Sequence, residues 1–596
     1  MPDHLDLEIL LKVPHVDPDL GFDISPDGSQ LVFSWNQTGR WEIYCLDLKG
    51  KSSPRIITQG KGAKFAPRWS PDGNSIAYVL DLDGSENYDI FVYHPDPGTH
   101  TNLTPDTPDA ILPLFDWSPD SQQIAFCSDR GGCFDTYVMP SGGGEAQQVL
   151  GIPYPDSEVV WSPDGKKLAV ASEGKAQDSW IHIVPLDGGD PYPISLDGSQ
   201  ISAKDPCWSP DSRTLPFSSD LQGKFEIGLF EIKNRSFSWL TNGPGEKESP
   251  DWSEDGFLAY VTSHGPKTNL TLMDMKEGSI STHQVETGVI YTPKFTPAQD
   301  QIIFVFDNPR HPDDLWAFNR LTNEFRQLTH SLPPGFEQTP FTMPEEVWYP
   351  SLDGTDVPAL LYRPKQTENP PPAVIYIHGG PNWLTQVTWD PLVQHMVSRG
   401  WVVLAPNYRG STGYGRKWMN ANRFDLGGVD TADVAAGADF LERAGIADAK
   451  KIALTGRSWG GYLTMTCLTQ FPEKWTAGSA VVPFLNWFTS HENSREDLQH
   501  WDRENFGDPV TNNDIWHERS PFFFLDQIQS PVQLICGEND VRCPASESKQ
   551  AYEKLINLGK ECEYHLYRDE GHSFLKIENQ IKSKGQSAEF LAKYLE

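Results

Sequence analysis

What this sequence lacks narrows what the chain can be. No stretch approaches the roughly 20 apolar residues that a membrane-crossing helix needs, so no membrane partner is expected. The opening "MPDHLDLEILLKVPH" has no basic start, no sustained apolar run and no small-residue cleavage site. A secretory signal is therefore not read, and the expected location is cytoplasmic. Positive charge is scarce: 48 Lys and Arg face 82 Asp and Glu, for a formal net charge of −34. Such a field repels phosphate backbones, which argues against a nucleic-acid partner and leaves a solvated acidic surface. The eight cysteines are scattered without a C-x-x-C pair, so neither a zinc site nor a disulfide framework is expected.

Length and periodicity are present in abundance. A chain of 596 residues exceeds what one hydrophobic core serves, and at least two domains are expected. The phrase "WSPDG" or a relative recurs at Ile24, Trp69, Trp117, Trp161, Trp208, Trp252 and Phe295, at intervals of 45, 48, 44, 47, 44 and 43 residues. Each copy runs into a short apolar segment such as "SIAYVL" or "KLAVAS", followed by a second strand-like segment such as "YDIFVY". Pro, Asp and Gly supply the turn and the apolar residues supply strands. Seven such units, each with room for about four strands, predict a seven-bladed β-propeller over residues 1–330. The recurring tryptophans are expected to pack between blades.

After "FRQLTH" the period stops. Two hairpin strands, "EEVWYPS" and "VPALLYRP", precede a proline-rich loop "ENPPP", and apolar strands "AVIYIHGGP" and "WVVLAPNYRG" follow. A helix comes next with Val434, Ala438 and Leu441 on one face. This alternation predicts an α/β-hydrolase-type parallel sheet over residues 331–596, with chemistry at the strand ends. Within it, "IALTGRSWGG" reads as strand, sharp turn and helix, the G-x-S-x-G arrangement that thrusts a serine hydroxyl out of the sheet. Ser458 is the candidate nucleophile. The expected chain order of serine, acid and histidine is then met by Glu538 or Asp540 in "GENDVRCP" and by His572 in "DEGHSF".

Together these pieces resemble the prolyl oligopeptidase family of serine peptidases, most closely its acylaminoacyl-peptidase and dipeptidyl-peptidase-like branches. The resemblance rests on the propeller and on "YIHGGP", "NYRGSTGYG", "GRSWGGY", "GENDVRCP" and "DEGH", and it spans the full length. It implies Ser458 as nucleophile, Asp540 as orienting carboxylate and His572 as general base, with no metal or organic cofactor. His565 falls within a strand and is expected to be structural, Asp569 and Glu570 to be solvated, and His378 to shape its loop. For the oxyanion, the N–H of Trp459 is one expected donor. The second is the Tyr414 phenol in some branches and the Gly380 backbone in another. Arg542 matches a substrate-backbone contact, and Phe484 and Trp487 are candidates for an apolar substrate pocket. Two departures stand out: Arg457 where relatives often have glycine, and Cys543 where they often have valine or threonine.

The resemblance further implies short peptide substrates admitted past a propeller, with homo-oligomerisation open. Residues 1–330 contain no Glu-Glu pair, the feature with which dipeptide-releasing relatives hold a substrate amine. An acylaminoacyl-peptidase or oligopeptidase activity is therefore favoured over a dipeptidyl aminopeptidase. A carboxylesterase using the same triad, and a non-enzymatic scaffold, are the remaining alternatives.

Overall fold

The computed structural model describes residues 4–50, 52–105, 108–336, 339–365 and 370–596. Glu368 and Asn369 of the proline-rich loop lie outside these residues. The chain divides into two compact units, Pro14–Leu82 with Glu86–Pro333, and Met1–Val13 with Asp83–Ser85 and Pro334–Glu596.

The first unit is a seven-bladed propeller of antiparallel sheets spanning residues 22–56, 63–102, 111–150, 156–193, 214–239, 246–283 and 289–327. Six blades have four strands. The fifth has three, its inner position being filled by a single bridge, Lys204 to Ser218. The repeated "SPD" explains the turns. Ser25, Ser70, Ser118, Ser162, Ser209 and Ser253 each donate their hydroxyl to the aspartate two residues on, at 2.6–2.8 Å. The N–H groups of Gln30, Ser75, Gln123, Lys167 and Thr214 return to the same hydroxyls, closing each turn on its own strand.

The tryptophans pack between blades as expected. Trp117 and Trp208 are buried, and their indole N–H groups donate to Arg68 O and Val160 O one blade back, both at 3.2 Å. Asp23, Asp116 and Asp251 accept from Trp69 N, Trp161 N and Phe295 N of the following blade, each at 2.7 Å. The ring closes where Phe22, Leu31 and Phe33 share an apolar cluster with Ile303, Val305 and Leu315. Inner-strand side chains, among them Asp23, Arg68, Asp116, Glu158, Asp251 and Lys294, line a cavity of about 470 Å³.

The second unit is built on an eight-stranded sheet: β1 Glu345–Pro350, β2 Asp356–Tyr362, β3 Ala373–Ile377, β4 Val402–Pro406, β5 Ile452–Arg457, β6 Gly478–Val481, β7 Val532–Gly537 and β8 Cys562–Tyr567. Its order is β1-β2-β4-β3-β5-β6-β7-β8, antiparallel through β4 and parallel from there on. Residues along β3, β4 and β5 are apolar on both faces because helices cover both. On one face lies the helix Val429–Arg443, whose Val434, Ala438 and Leu441 are all buried. The other carries Pro391–Ser398 and Ile577–Leu595. The amino-terminal boundary differs from the expected one. The helix Leu7–Leu11 buries Leu7 and Leu11 against Val374, Leu591 and Leu595, so the segment before Pro14 groups with the hydrolase sheet, not with residues 14–330. The helix packs on the helices Pro391–Ser398 and Ile577–Leu595, which cover that face of the sheet.

Trp117→Ala should empty a site between two blades and leave the Arg68 carbonyl without its donor. A loss of about 3–5 kcal/mol is expected, read as a lower denaturation midpoint, with Trp117→Phe costing less. An unchanged midpoint would refute the inter-blade role.

Candidate active site

The parallel strands β3, β5, β7 and β8 end on the same edge of the sheet and are followed by Gly380, Ser458, Asp540 and His572 respectively. Ser458 directly follows β5 at φ 59°, ψ −121°, a conformation that costs a non-glycine residue on the order of 1–3 kcal/mol. Packing holds it there. Ser458 N donates to Val481 O of β6 at 2.9 Å, and Tyr462 N donates to Ser458 O, opening the helix Trp459–Gln470. The glycines leave room for this helix to approach. A β-carbon on Gly460 would stand 2.1 Å from Ile377 O, and one on Gly456 would stand 2.4 Å from Gly460 O. The G-x-S-x-G pattern is thus required by the close approach of the helix to its own strand and to the end of β3.

Asp540 and His572 are buried, at 6% exposure each, and meet in the loops after β7 and β8. His572 Nδ1 lies 2.9 and 3.0 Å from the two Asp540 oxygens. Asp540 is aimed by the N–H groups of Arg542 and Cys543, at 2.9 and 2.8 Å. With Nδ1–H given to the carboxylate, Nε2 is left as the basic nitrogen. Burial holds the His572 pKa below that of an ordinary histidine, helped by Arg457 and Arg542 and opposed by Asp540. The imidazole is therefore neutral, and able to accept a proton, at neutral pH.

Of the competing residues, Glu538 is exposed and His565 sits in β8 beside Glu563, Gln533 and Gln586. Asp569 is exposed and pairs with Lys576. Glu570 corrects the expectation of solvation. It is 1% exposed and accepts Leu575 N at 2.8 Å, Lys576 N at 3.2 Å and the Asn579 amide at 2.7 Å, so it braces the segment just past His572. Its place three residues after the strand end carried no sequence signal of burial.

His378 shapes its loop: it stacks on Tyr408, and its nitrogens lie 2.7 Å from Gly379 O and 2.9 Å from Ser411 Oγ. Burial pushes its pKa down to about 4, so it is neutral and takes no proton in ordinary conditions. A β-carbon on Gly379 would lie 3.4 Å from Ser458 Cβ and 4.0 Å from its Oγ, so this loop borders the nucleophile. Gly380 follows at φ 124°, and a β-carbon there would press on Asn382 N and Trp383 N. The "NYRG" loop after β4 is pinned by Arg409, whose guanidinium binds Asp433 and Asp353. On that loop the Tyr414 hydroxyl accepts from Asn407 Nδ2 at 3.0 Å, which leaves its own proton to donate. Burial raises the phenol's pKa and keeps that proton in place. Trp459, first in its helix, has no carbonyl four residues back to take its N–H.

Arg542 is exposed beside Asp540. Phe484 and Trp487 lie at 7% and 2% exposure. The Phe484 ring stacks on Tyr462, and Trp487 gives its indole N–H to the Tyr462 hydroxyl and packs on Phe506 and Trp516. Trp487 is therefore a core residue whose surface is already taken. Cys543, one of eight unpaired cysteines, is buried, and burial pushes its thiol pKa up so that it stays protonated. Among the described residues no group of three or more His, Cys, Asp or Glu could hold a metal ion, and no helix is long and apolar enough to cross a membrane. The arrangement suits acyl transfer: a hydroxyl on a strained turn, a carboxylate-held imidazole and nearby N–H and O–H donors.

Residues 388–596 match the model described as "Prolyl oligopeptidase family", and residues 52–190 and 161–347 match the "TolB beta propeller domain". The uncharacterized peptidase YuxL of Bacillus subtilis is 25% identical, over 85% of this chain and 94% of its own length. Dipeptidyl aminopeptidase BIII of Pseudoxanthomonas mexicana is 29% identical, over 96% of this chain and 86% of its own. A puromycin-hydrolyzing peptidase of Mycobacterium tuberculosis shares the fold at TM-score 0.87 and 19% identity, over 99% of this chain and 96% of that one.

A fluorophosphonate should label Ser458, and Ser458→Ala should abolish labelling. Because the depressed His572 pKa must be passed for the base to be neutral, the labelling rate should rise with pH to a plateau, with a midpoint below about 6.5. A midpoint above that value would contradict the burial argument.

Proposed function

We propose that this chain, a member of the prolyl oligopeptidase family and a serine-type peptidase, hydrolyses short peptides through Ser458, His572 and Asp540 by way of an acyl-enzyme. The observation that carries the reading is the buried His572–Asp540 pair at 2.9–3.0 Å, on the sheet edge where Ser458 stands. Ser458 Oγ attacks the peptide carbonyl carbon while His572 Nε2 takes its proton. The carbonyl oxygen becomes an oxyanion facing Trp459 N–H and the second donor. The C–N bond then breaks, the leaving amine takes the proton from His572, and water repeats the sequence to release the acid. Asp540 stays ionised and holds the tautomer. Tyr414 is favoured as second donor over Gly380, because Asn407 occupies its acceptor side and leaves the hydroxyl proton to point elsewhere.

The name of one relative, a dipeptidyl aminopeptidase, supports peptide substrates with a short acyl portion. An N-acetylated aminoacyl anilide, a free-amino dipeptidyl anilide, puromycin and an internally quenched oligopeptide separate the branches. Turnover of at least one by the wild type and of none by Ser458→Ala is expected. Preference for short acyl esters over all amides would instead place the chain among carboxylesterases.

Tyr414→Phe should lower kcat by the equivalent of about 3–4 kcal/mol, with KM little changed, while labelling of Ser458 persists. A nearly intact kcat would move the role to Gly380.

A further inference from the structure

The nucleophile follows β5 and the general base follows β8, with two strands between them. Their alignment therefore depends on what ties the His572 loop down. Beyond the His572–Asp540 pair, three ties among the described residues bear on it. Asn539 N, from the acid's loop, donates to Glu570 O at 3.0 Å. The Glu570 carboxylate takes Leu575 N and Lys576 N. The third reaches across the sheet from the residue adjoining the nucleophile: Arg457 Nη2 donates to the backbone carbonyl of His572 itself and lies 3.1 Å from Ser573 Oγ. The two residues joined are 115 apart in sequence. The family resemblance implies glycine in many relatives at the position of Arg457.

We propose that Arg457 is a positioning residue for the reaction: it fastens the His572 loop to the nucleophile's own strand and puts a fixed positive charge beside the imidazole. The charged groups that face His572 are Asp540 and Arg542 from the loop after β7 and Arg457 from β5, and both arginines disfavour the imidazolium. A glycine at position 457 would supply neither the tie nor the charge. Because the guanidinium donates to a main-chain carbonyl, it fixes the loop's path without occupying either imidazole nitrogen, and Nδ1 and Nε2 stay free for Asp540 and Ser458. The inference rests on the peptidase reading above.

The test compares the full-length wild type with Arg457→Met, which keeps length but loses charge and donors, and Arg457→Lys, which keeps the charge and one point donor. For Arg457→Met, kcat should fall about 10- to 100-fold with KM little changed. The acid limb of its pH profile should move up by roughly half a pH unit, because removing a cation eases protonation of the base. Amide hydrogen exchange across residues 568–576 should quicken. Arg457→Lys should keep the wild-type limb and recover part of kcat. A wild-type kcat and limb in Arg457→Met, or a lost kcat with both limb and loop exchange unchanged, would overturn the proposal. If wild type cleaves nothing, the peptidase reading fails by itself. Exchange over 568–576 still decides the tie, which stands if Arg457→Met quickens it and falls if it does not.

Discussion

The geometry of the hydrolase unit depends on one strained residue. Ser458 is held at φ 59° between β5 and its helix, and the strain persists because neighbouring backbone over-determines it. Val481 O accepts its N–H, and its own carbonyl accepts the N–H of Tyr462. Gly460 lets the helix start against the carbonyl of Ile377. These contacts require β3, β5 and β6 to lie side by side in parallel register, which in turn puts the ends of β7 and β8 along the same edge. Once the serine turn is made, the places open to an acid and a base are set by sheet order.

Electrostatics then decides what the groups do. Two histidines on this edge are both buried and both held neutral, yet their partners separate their roles. His378 has both nitrogens taken by Gly379 O and Ser411, and stacks on Tyr408. His572 has one nitrogen on a carboxylate and one left over. The carboxylate makes an imidazolium affordable during the reaction, while burial and two arginines keep it from forming beforehand. Comparable tuning is visible among the backbone donors. Asp540 is aimed by two N–H groups of its own loop, so its orientation does not depend on histidine.

The propeller works by local and neighbour rules. Each "SPD" turn is closed by hydrogen bonds within five residues, which is why the motif survives as a contiguous phrase. The bonds that make a ring of blades run between residues 44–49 positions apart, from Asp23, Asp116 and Asp251 forward and from Trp117 and Trp208 backward. A second recurring device is a threonine hydroxyl bound to an acid on the adjacent strand, in Thr58–Glu42, Thr241–Glu226 and Thr329–Asp314. Its two members are separated by 15 or 16 residues of variable sequence, so no contiguous phrase announces it.

Sequence alone determined what is periodic or contiguous. The seven blades follow from an even spacing of turn residues, the alternation of strand and helix from hydrophobic pattern, and the serine turn from glycines at fixed offsets. These are local effects of backbone sterics and short-range hydrogen bonds. Tertiary structure decided the rest, because burial and charge are properties of neighbours distant in the chain. It took folding to place Leu7 and Leu11 with the hydrolase sheet, to bury Glu570 in a turn that reads as polar, and to turn Trp487 from a candidate pocket wall into core. Folding also carried Arg457 across the sheet to the carbonyl of His572. The identity of these residues was legible. Their partners were not, since each partner arrives through strand order and not through spacing along the chain.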